Sequence, residues 1–577
     1  MKQYLPYAFL FAILIFTVLT RFYGLGKIPV GPDWDEAAIG YNAYSVRNTG
    51  KDEFGFAFPL VFRSFNDYKP PLYIYLTIPS VALFGLHTWS VRLPSALMGI
   101  LAVAGTYFLT RELLQFMCIR EGSSSRNQHS LLKFQQDFER NTYRSSYLKY
   151  VPIISSALLA ISPWHIQFSR VAFEASVGVA FNIWGTIFFL RGLRSSKYFY
   201  LSSILFALGM YTYHTERLFV PLYILLLGTV FKNYIIQYRK ELLVSVCICL
   251  AMTVPIMVSL FDTSGLERFS STSIFRKQTE FLEKSVQKYN WDKEHGSFVG
   301  QFLNDRRFEW AKIFISGYIS HFSPRWLFAT GDYPRHHAPD SGLLYLWTIP
   351  FLCIGLIVIF GEFKILQRYL YGWLLISPLA SAFTYEAPHA VRTLVFLPAF
   401  EIIVSVGIWK SLSYIRFQLQ TNSDMVRKVM IISIVISLSL FSIFEIVRYF
   451  DLYFVHMNAE YSEYWQSGYE EAVGYVKTNG NKYSKVIVSS NLEQPYIFFL
   501  FYLQYDPEKY LSEGGTFAKG EDGVLHAFDK YQFRPIDWAK EKRDGKTLFI
   551  VTPRESIGNP KKVIHYLDGT PSIAILE

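Results

Sequence analysis

The chain has 577 residues, 51% apolar and 18% aromatic, and a net charge of +10. Its apolar residues gather in blocks of about 17–25, the length that crosses a bilayer core of about 30 Å, which excludes an ordinary soluble enzyme. The positive charge falls mostly in short loops between these blocks, as the positive-inside bias requires, and so does not mark a nucleic-acid partner.

In chain order, the first block, YLPYAFLFAILIFTVLT, has no small-residue cleavage site after it and reads as an uncleaved helix over 5–22. Further spans are expected near 92–116, 150–165, 175–191, 198–213, 217–232, 241–260, 342–360, 369–385, 391–410 and 427–447, about eleven in all. With the N-terminus cytoplasmic, the Lys- and Arg-rich loops fall inside. The opposite side receives a first external loop over 23–91, a large one over 261–341, and everything after about 448. The segment 71–86 is apolar but short and carries Pro71 and Pro79. Counting it as a span would turn every later basic loop outward, so it is expected to lie at the outer interface.

Beyond 450 the hydropathy drops. SGYEEAVGYVKTNG reads as a short helix ending at Gly480, and KVIVSS, KTLFIVTP and KVIHYLDG read as strands. The expected organisation is a polytopic α-helical membrane domain over 1–450 and an extracytoplasmic α/β domain over 451–577. Such a protein sits in the plasma membrane as a multi-pass chain. Cys247, Cys249 and Cys353 lie inside apolar blocks and Cys118 in a basic loop, so no disulfide framework is indicated.

The outer face collects the chemistry. In GPDWDEAAIGYNAYSVRNTG a helix fits between Pro32 and Gly50, with Asp33 and Glu36 spaced as a capping box. Capping leaves Asp35 without a structural task, and adjacent residues point about 100° apart on a helix. Glu174 stands at the mouth of a span, where a carboxylate faces water, a partner or a substrate. A helical ion pair with Arg170, four residues earlier, is the structural alternative.

Two outer turns add His214, Glu216 and Arg217, then Glu386, His389 and Arg392; GDYPRHHAPDSG adds Asp332, Arg335, His336 and His337. Each alone is an ordinary interfacial anchor, but several together suggest a site. Neighbouring histidines do not make a closed zinc site. No cofactor is required, and a divalent cation held by carboxylates and a histidine stays open. No glycine-rich phosphate loop opens a cytoplasmic helix.

One reaction fits these residues. A sugar carried on a membrane polyprenyl phosphate has its phosphate at the interface, where Lys69 of FNDYKPPL and arginines at helix ends lie. Phosphate leaves without protonation, so a single carboxylate suffices as the base for an acceptor hydroxyl, and Asp35 suits that task. The candidate catalytic carboxylates are thus Asp35, Glu36 and Glu174. The candidate phosphate contacts are Lys69, Arg170, Arg217 and Arg392, and the candidate substrate or metal residues are His214, His336, His337 and His389. A transporter or flippase for a lipid-linked sugar is the alternative, but the polar residues cluster at one face rather than at the midplane.

The order of motifs resembles the GT-C superfamily of membrane glycosyltransferases, in the group of protein O-mannosyltransferases and the lipid A aminoarabinose transferase. The resemblance runs over about 1–450, through Asp35-Glu36, Lys69-Pro70-Pro71-Leu72, VRLPSA, Ser169-Arg170-Val171-Ala172 with Glu174, and PHAVRTLVFLP. It implies a GT-C fold with interfacial helices in the first external loop, Asp35 as catalytic base and Lys69 at the donor phosphate. The second acidic position is often aspartate in relatives, whereas here it is Glu174. The partners implied are the bilayer, a polyprenyl-phosphate-linked sugar, and a glycan, lipid or protein acceptor.

Overall fold

A computed structural model describes residues 5–65, 67–120, 142–260, 273–275, 280–421, 423–516 and 526–577. Each predicted span contains a helix: Leu5–Phe22, Thr88–Arg120, Thr142–Ile161, Ala175–Gly192, Tyr198–Met210, Glu216–Val230, Arg239–Leu260, Ile349–Glu362, Lys364–Ile376, Leu397–Thr421 and Met425–Asp451. Among the described residues, six helical segments are long and apolar enough to cross a membrane by length and composition, and four further apolar helices have 10–17 residues. The packed interior of the bundle is aromatic, with Trp164, Trp373, Tyr223 and Tyr369 fully enclosed. The helices Arg239–Leu260 and Met425–Asp451 instead turn most of their apolar side chains outward, as lipid-facing helices do.

The segment 71–86 forms the helix Leu72–Phe84, 13 residues long. At a rise of about 1.5 Å per residue it reaches about 20 Å, the same length as Tyr198–Met210 and Lys364–Ile376. Pro71 precedes it and Gly85 ends it with positive φ. Just upstream, β1 (Phe62–Ser64) pairs antiparallel with β2 (Asp67–Lys69), setting Lys69 opposite Phe62. Lys69 is thereby held by a hairpin on one side and a proline-started helix on the other.

The helix Trp34–Thr49 forms as its caps dictate. The Asp33 side chain accepts from the Glu36 amide, Glu36 returns the bond, and Gly50 closes the far end at φ 71°. Its residues Glu36 to Ala43 are buried, and the helix packs against Leu72–Phe84, Thr88–Arg120 and the helix Pro495–Leu503. A Cβ on Gly40 would meet Val91 and Phe501 at 2.7 and 2.8 Å, so only glycine permits this approach.

After the last long helix, Tyr469–Asn479 is the short helix expected before Gly480. A six-stranded mixed sheet follows in the order β4-β5-β3-β6-β8-β7, with β3 (Lys485–Ser489), β4 (His526–Phe528), β5 (Tyr531–Arg534), β6 (Thr547–Val551), β7 (Lys562–His565) and β8 (Pro571–Leu576). β3 lies parallel to both β5 and β6. One face of this α/β unit shares a continuous apolar core with the first loop, joining Tyr41, Val46 and Tyr73 to Phe498, Phe501 and Tyr510.

Candidate active site

Asp35 and Glu36 are sequence neighbours with opposite environments. Glu36 points inward and is fully buried. It accepts from Arg92 Nε at 2.8 Å and Nη2 at 2.7 Å, and from the Ala172 amide at 2.7 Å. Arg92 spends its remaining donors on the Leu25, Pro29 and Gly31 carbonyls. Asp35, about a quarter turn away on the helix, faces a cavity of about 670 Å³. Its carboxylate pairs with Lys69 Nζ at 2.8 Å.

Four of the residues expected from the first half of the chain line this cavity: Asp35, Lys69, Glu174 and His214. His214 Nε2 bonds the Tyr68 carbonyl at 2.7 Å, tying the 210s turn to the Lys69 hairpin. The facing wall brings His336, His389 and Arg392, together with Asp332, Arg335 and Glu386. Arg392 donates to Glu386 Oε2 and Thr384 Oγ1, each at 2.7 Å. Arg335 donates to Asp33 Oδ2 at 2.7 Å and stacks over Trp34 at 4.5 Å, fastening this wall to the cap of the Asp35 helix.

Four expected residues lie outside the cavity lining. Glu36 has both carboxylate oxygens occupied by Arg92 and backbone amides. Arg170 is buried and donates to the carbonyls of Thr20, Arg21, Tyr23 and Ile28, which makes it a brace for the turn after the first helix. Its guanidinium also covers the Tyr453 and Phe454 rings. Arg217, one residue into the helix Glu216–Val230, is not among the lining side chains. His337 is engaged with the backbone oxygens of Ala338 and Asp332 and buried behind the wall.

The cavity lining mixes both signs, with Asp35, Asp67, Glu174, Asp332 and Glu386 beside Lys69, Arg335 and Arg392. Burial works against the Lys69 ammonium, but Asp35, Glu174 and Asp67 outweigh it and hold its pKa above the ordinary lysine value. Burial pushes the Asp33 carboxyl up to about 7 although Arg335 pulls it down. Asp332 is the reverse: its burial is overcome by the hydrogen bond from His336 and by the neighbouring imidazoles, which keep it below the usual carboxylate range. Burial, then Arg392 and His336, hold His389 well below the ordinary histidine value. Asp332, His336 and His389 each offer one ligand atom within 4.8 Å of the others. An ionised carboxylate with two imidazoles is a donor set that suits a divalent transition metal.

Asp332 and Arg335 stood in view in GDYPRHHAPDSG, but their partners are distant: Arg335 meets Asp33 across 302 positions and Asp332 accepts from the Ala390 amide across 58. Trp34 and Tyr213 also line the cavity, and nothing in their sequence context separates them from interfacial aromatics.

No protein-family model and no curated protein matches the chain. Solved structures do. The crystal structure of ArnT from Cupriavidus metallidurans in the apo state superposes with a TM-score of 0.51 at 12% identity, covering 98% of this chain and 97% of that one. The structure of the same protein bound to undecaprenyl phosphate gives 0.50 over the same spans. The archaeal oligosaccharyltransferase AglB from Archaeoglobus fulgidus, in complex with an inhibitory peptide and a dolichol-phosphate, gives 0.48 at 13% identity, covering 87% of this chain and 64% of that one. From the first helix to the terminal sheet, the chain shares the fold of ArnT.

Proposed function

We propose that the protein is a membrane glycosyltransferase that moves a sugar from a polyprenyl-phosphate donor to a hydroxyl acceptor on the extracytoplasmic face. The observation that carries this reading is the Lys69–Asp35 ion pair, 2.8 Å long, in the wall of a cavity that also presents Arg335 and Arg392. The fold shared with ArnT, solved with undecaprenyl phosphate, supports a polyprenyl phosphate as donor. The acceptor is a glycan, a lipid or a protein.

In this mechanism the donor phosphate takes over the Lys69 ammonium and thereby releases Asp35. The freed carboxylate removes the proton of the acceptor hydroxyl while its oxygen attacks the anomeric carbon. The anomeric carbon–oxygen bond breaks from the opposite face, and its electron pair goes to the phosphate, which leaves as polyprenyl monophosphate. Lys69 and Arg392 stabilise the extra negative charge as it develops. A single displacement inverts the anomeric centre. Glu174, buried at the cavity wall, positions acceptor or sugar hydroxyls. The transfer needs no metal on this reading; Asp332, His336 and His389 are the residues that would hold a divalent cation.

The test is release of free polyprenyl phosphate by purified protein in lipid, supplied with a panel of polyprenyl-phosphate monosaccharides. Wild type releases it and Asp35→Asn, folded, does not. Release by both moves the base to Glu174. Donor carried across the bilayer without cleavage would replace the enzyme with a flippase.

A further inference from the structure

Away from the cavity, the described part of the large loop includes the helices Glu280–Glu294, Phe298–Leu303 and Arg306–Ser320. The second has no buried residue, although four of its six side chains are Phe298, Val299, Phe302 and Leu303. Phe298 is 81% exposed and Phe302 65%. The third helix also buries none of its residues, and Phe308, Ile315, Tyr318 and Ile319 recur along it at the spacing of one face. The Phe302 and Phe308 rings approach to 5.9 Å, so the two helices present one apolar stripe.

Charged residues flank the two helices along the chain: Lys293, Glu294, Asp305, Arg306 and Arg307. An exposed apolar patch of this kind marks a docking surface. Its root identifies the occupant. The Tyr318 hydroxyl donates to the Leu375 carbonyl at 2.7 Å, near the end of the helix Lys364–Ile376, where Leu375 is 55% exposed. Phe314 packs on Phe383 at 4.6 Å, and Ile274 donates its amide to the Phe383 carbonyl. The stripe therefore continues the outward apolar surface of a predicted span, at its end.

We propose that residues 297–320 form a membrane-inserted foot whose apolar stripe lies in the acyl-chain boundary of the leaflet on the cavity side, with lipid as its partner. The charged flanks remain at the headgroups, and the helices lie along the interface rather than across it. The foot is rooted on the segment that leads to the cavity wall, since His321 bonds Ser381 Oγ at 2.8 Å and accepts from the His389 amide.

The experiment places single cysteines at Phe298 and Phe302, and at exposed Lys288 as the control, in full-length protein whose four native cysteines are replaced. Each is labelled with a polarity-sensitive fluorophore in phosphatidylcholine nanodiscs holding one protein. Nitroxide-labelled lipid should quench 298 and 302 about threefold or more over 288, with iodide showing the reverse order. Equal iodide access at all three sites would overturn the proposal. So would protection from both quenchers, which would put protein rather than lipid on the stripe. Val299→Cys serves as a second probe should Phe298→Cys fail to fold, and size-exclusion elution reads folding.

Discussion

Replacing Glu36 by alanine and Asp35 by asparagine should separate architecture from chemistry at two adjacent carboxylates. Glu36 and Arg92 are both fully buried, joined by two hydrogen bonds of 2.8 and 2.7 Å. Removing Glu36 leaves an enclosed guanidinium without its counter-charge, and the Ala172 amide without its acceptor. Breaking one side of such a pair costs about 3–5 kcal/mol. Asp35 is 26% exposed at the cavity, and asparagine keeps a side-chain oxygen beside Lys69, so Asp35→Asn should cost less stability than Glu36→Ala. The assay is the fraction of protein that elutes as folded after heating in detergent, followed at several temperatures, with donor cleavage measured on the same samples. Glu36→Ala should lose folded protein at distinctly lower temperature than wild type. Asp35→Asn should lose folded protein at a higher temperature than Glu36→Ala does, and should lose donor cleavage. A Glu36→Ala protein as heat-stable as wild type but inactive would refute the assignment and return Glu36 to the catalytic group.

Two further expectations concern charge. Lys69→Ala should reduce donor use more than Lys69→Arg, because arginine keeps a cation for the phosphate; equal activity of Lys69→Ala and wild type removes the lysine from the site. Asp33 gives a pH dependence of defined sign: its carboxyl titrates near 3.8 in the unfolded chain and about 7 in the fold, so the fold favours the neutral form. That contribution is complete below 3.8 and is lost as pH rises through about 7. The unfolding midpoint of wild type should fall more between pH 5 and pH 8 than that of Asp33→Asn, and parallel curves would refute the shift.

Local rules written in neighbouring residues were legible without coordinates. The capping box of Asp33 and Glu36, the Gly50 stop and three of the sheet strands all follow from short-range spacing. Pairings across long separations were not. Arg170 has helical spacing to Glu174, yet its guanidinium goes to carbonyls about 150 positions earlier, because carbonyls freed by the turn after the first helix need buried donors. Glu36 similarly serves Arg92, 56 positions away. The strands β4, β5 and β8 and the helix Pro495–Leu503 escaped notice because PYIFFLFYL is apolar throughout and carries no periodic signal. Sidedness brought seven of the eleven expected residues into one cavity; it could not tell a side chain facing that cavity from one facing the protein behind it.

The glycine at position 40 also bears on how such a chain can diverge. Phe501 of the terminal unit rests where a side chain would otherwise stand, and the same unit holds Tyr41 through the Tyr505 carbonyl and Glu53 through Thr516. The terminal sheet is thus not a cassette that can be exchanged at its linker. A transplanted tail would need a matching knob for the glycine notch, and a chain cut after Asp451 would leave the helix bearing Asp35 with a bare greasy flank. A change on one side of this seam therefore needs a matching change on the other.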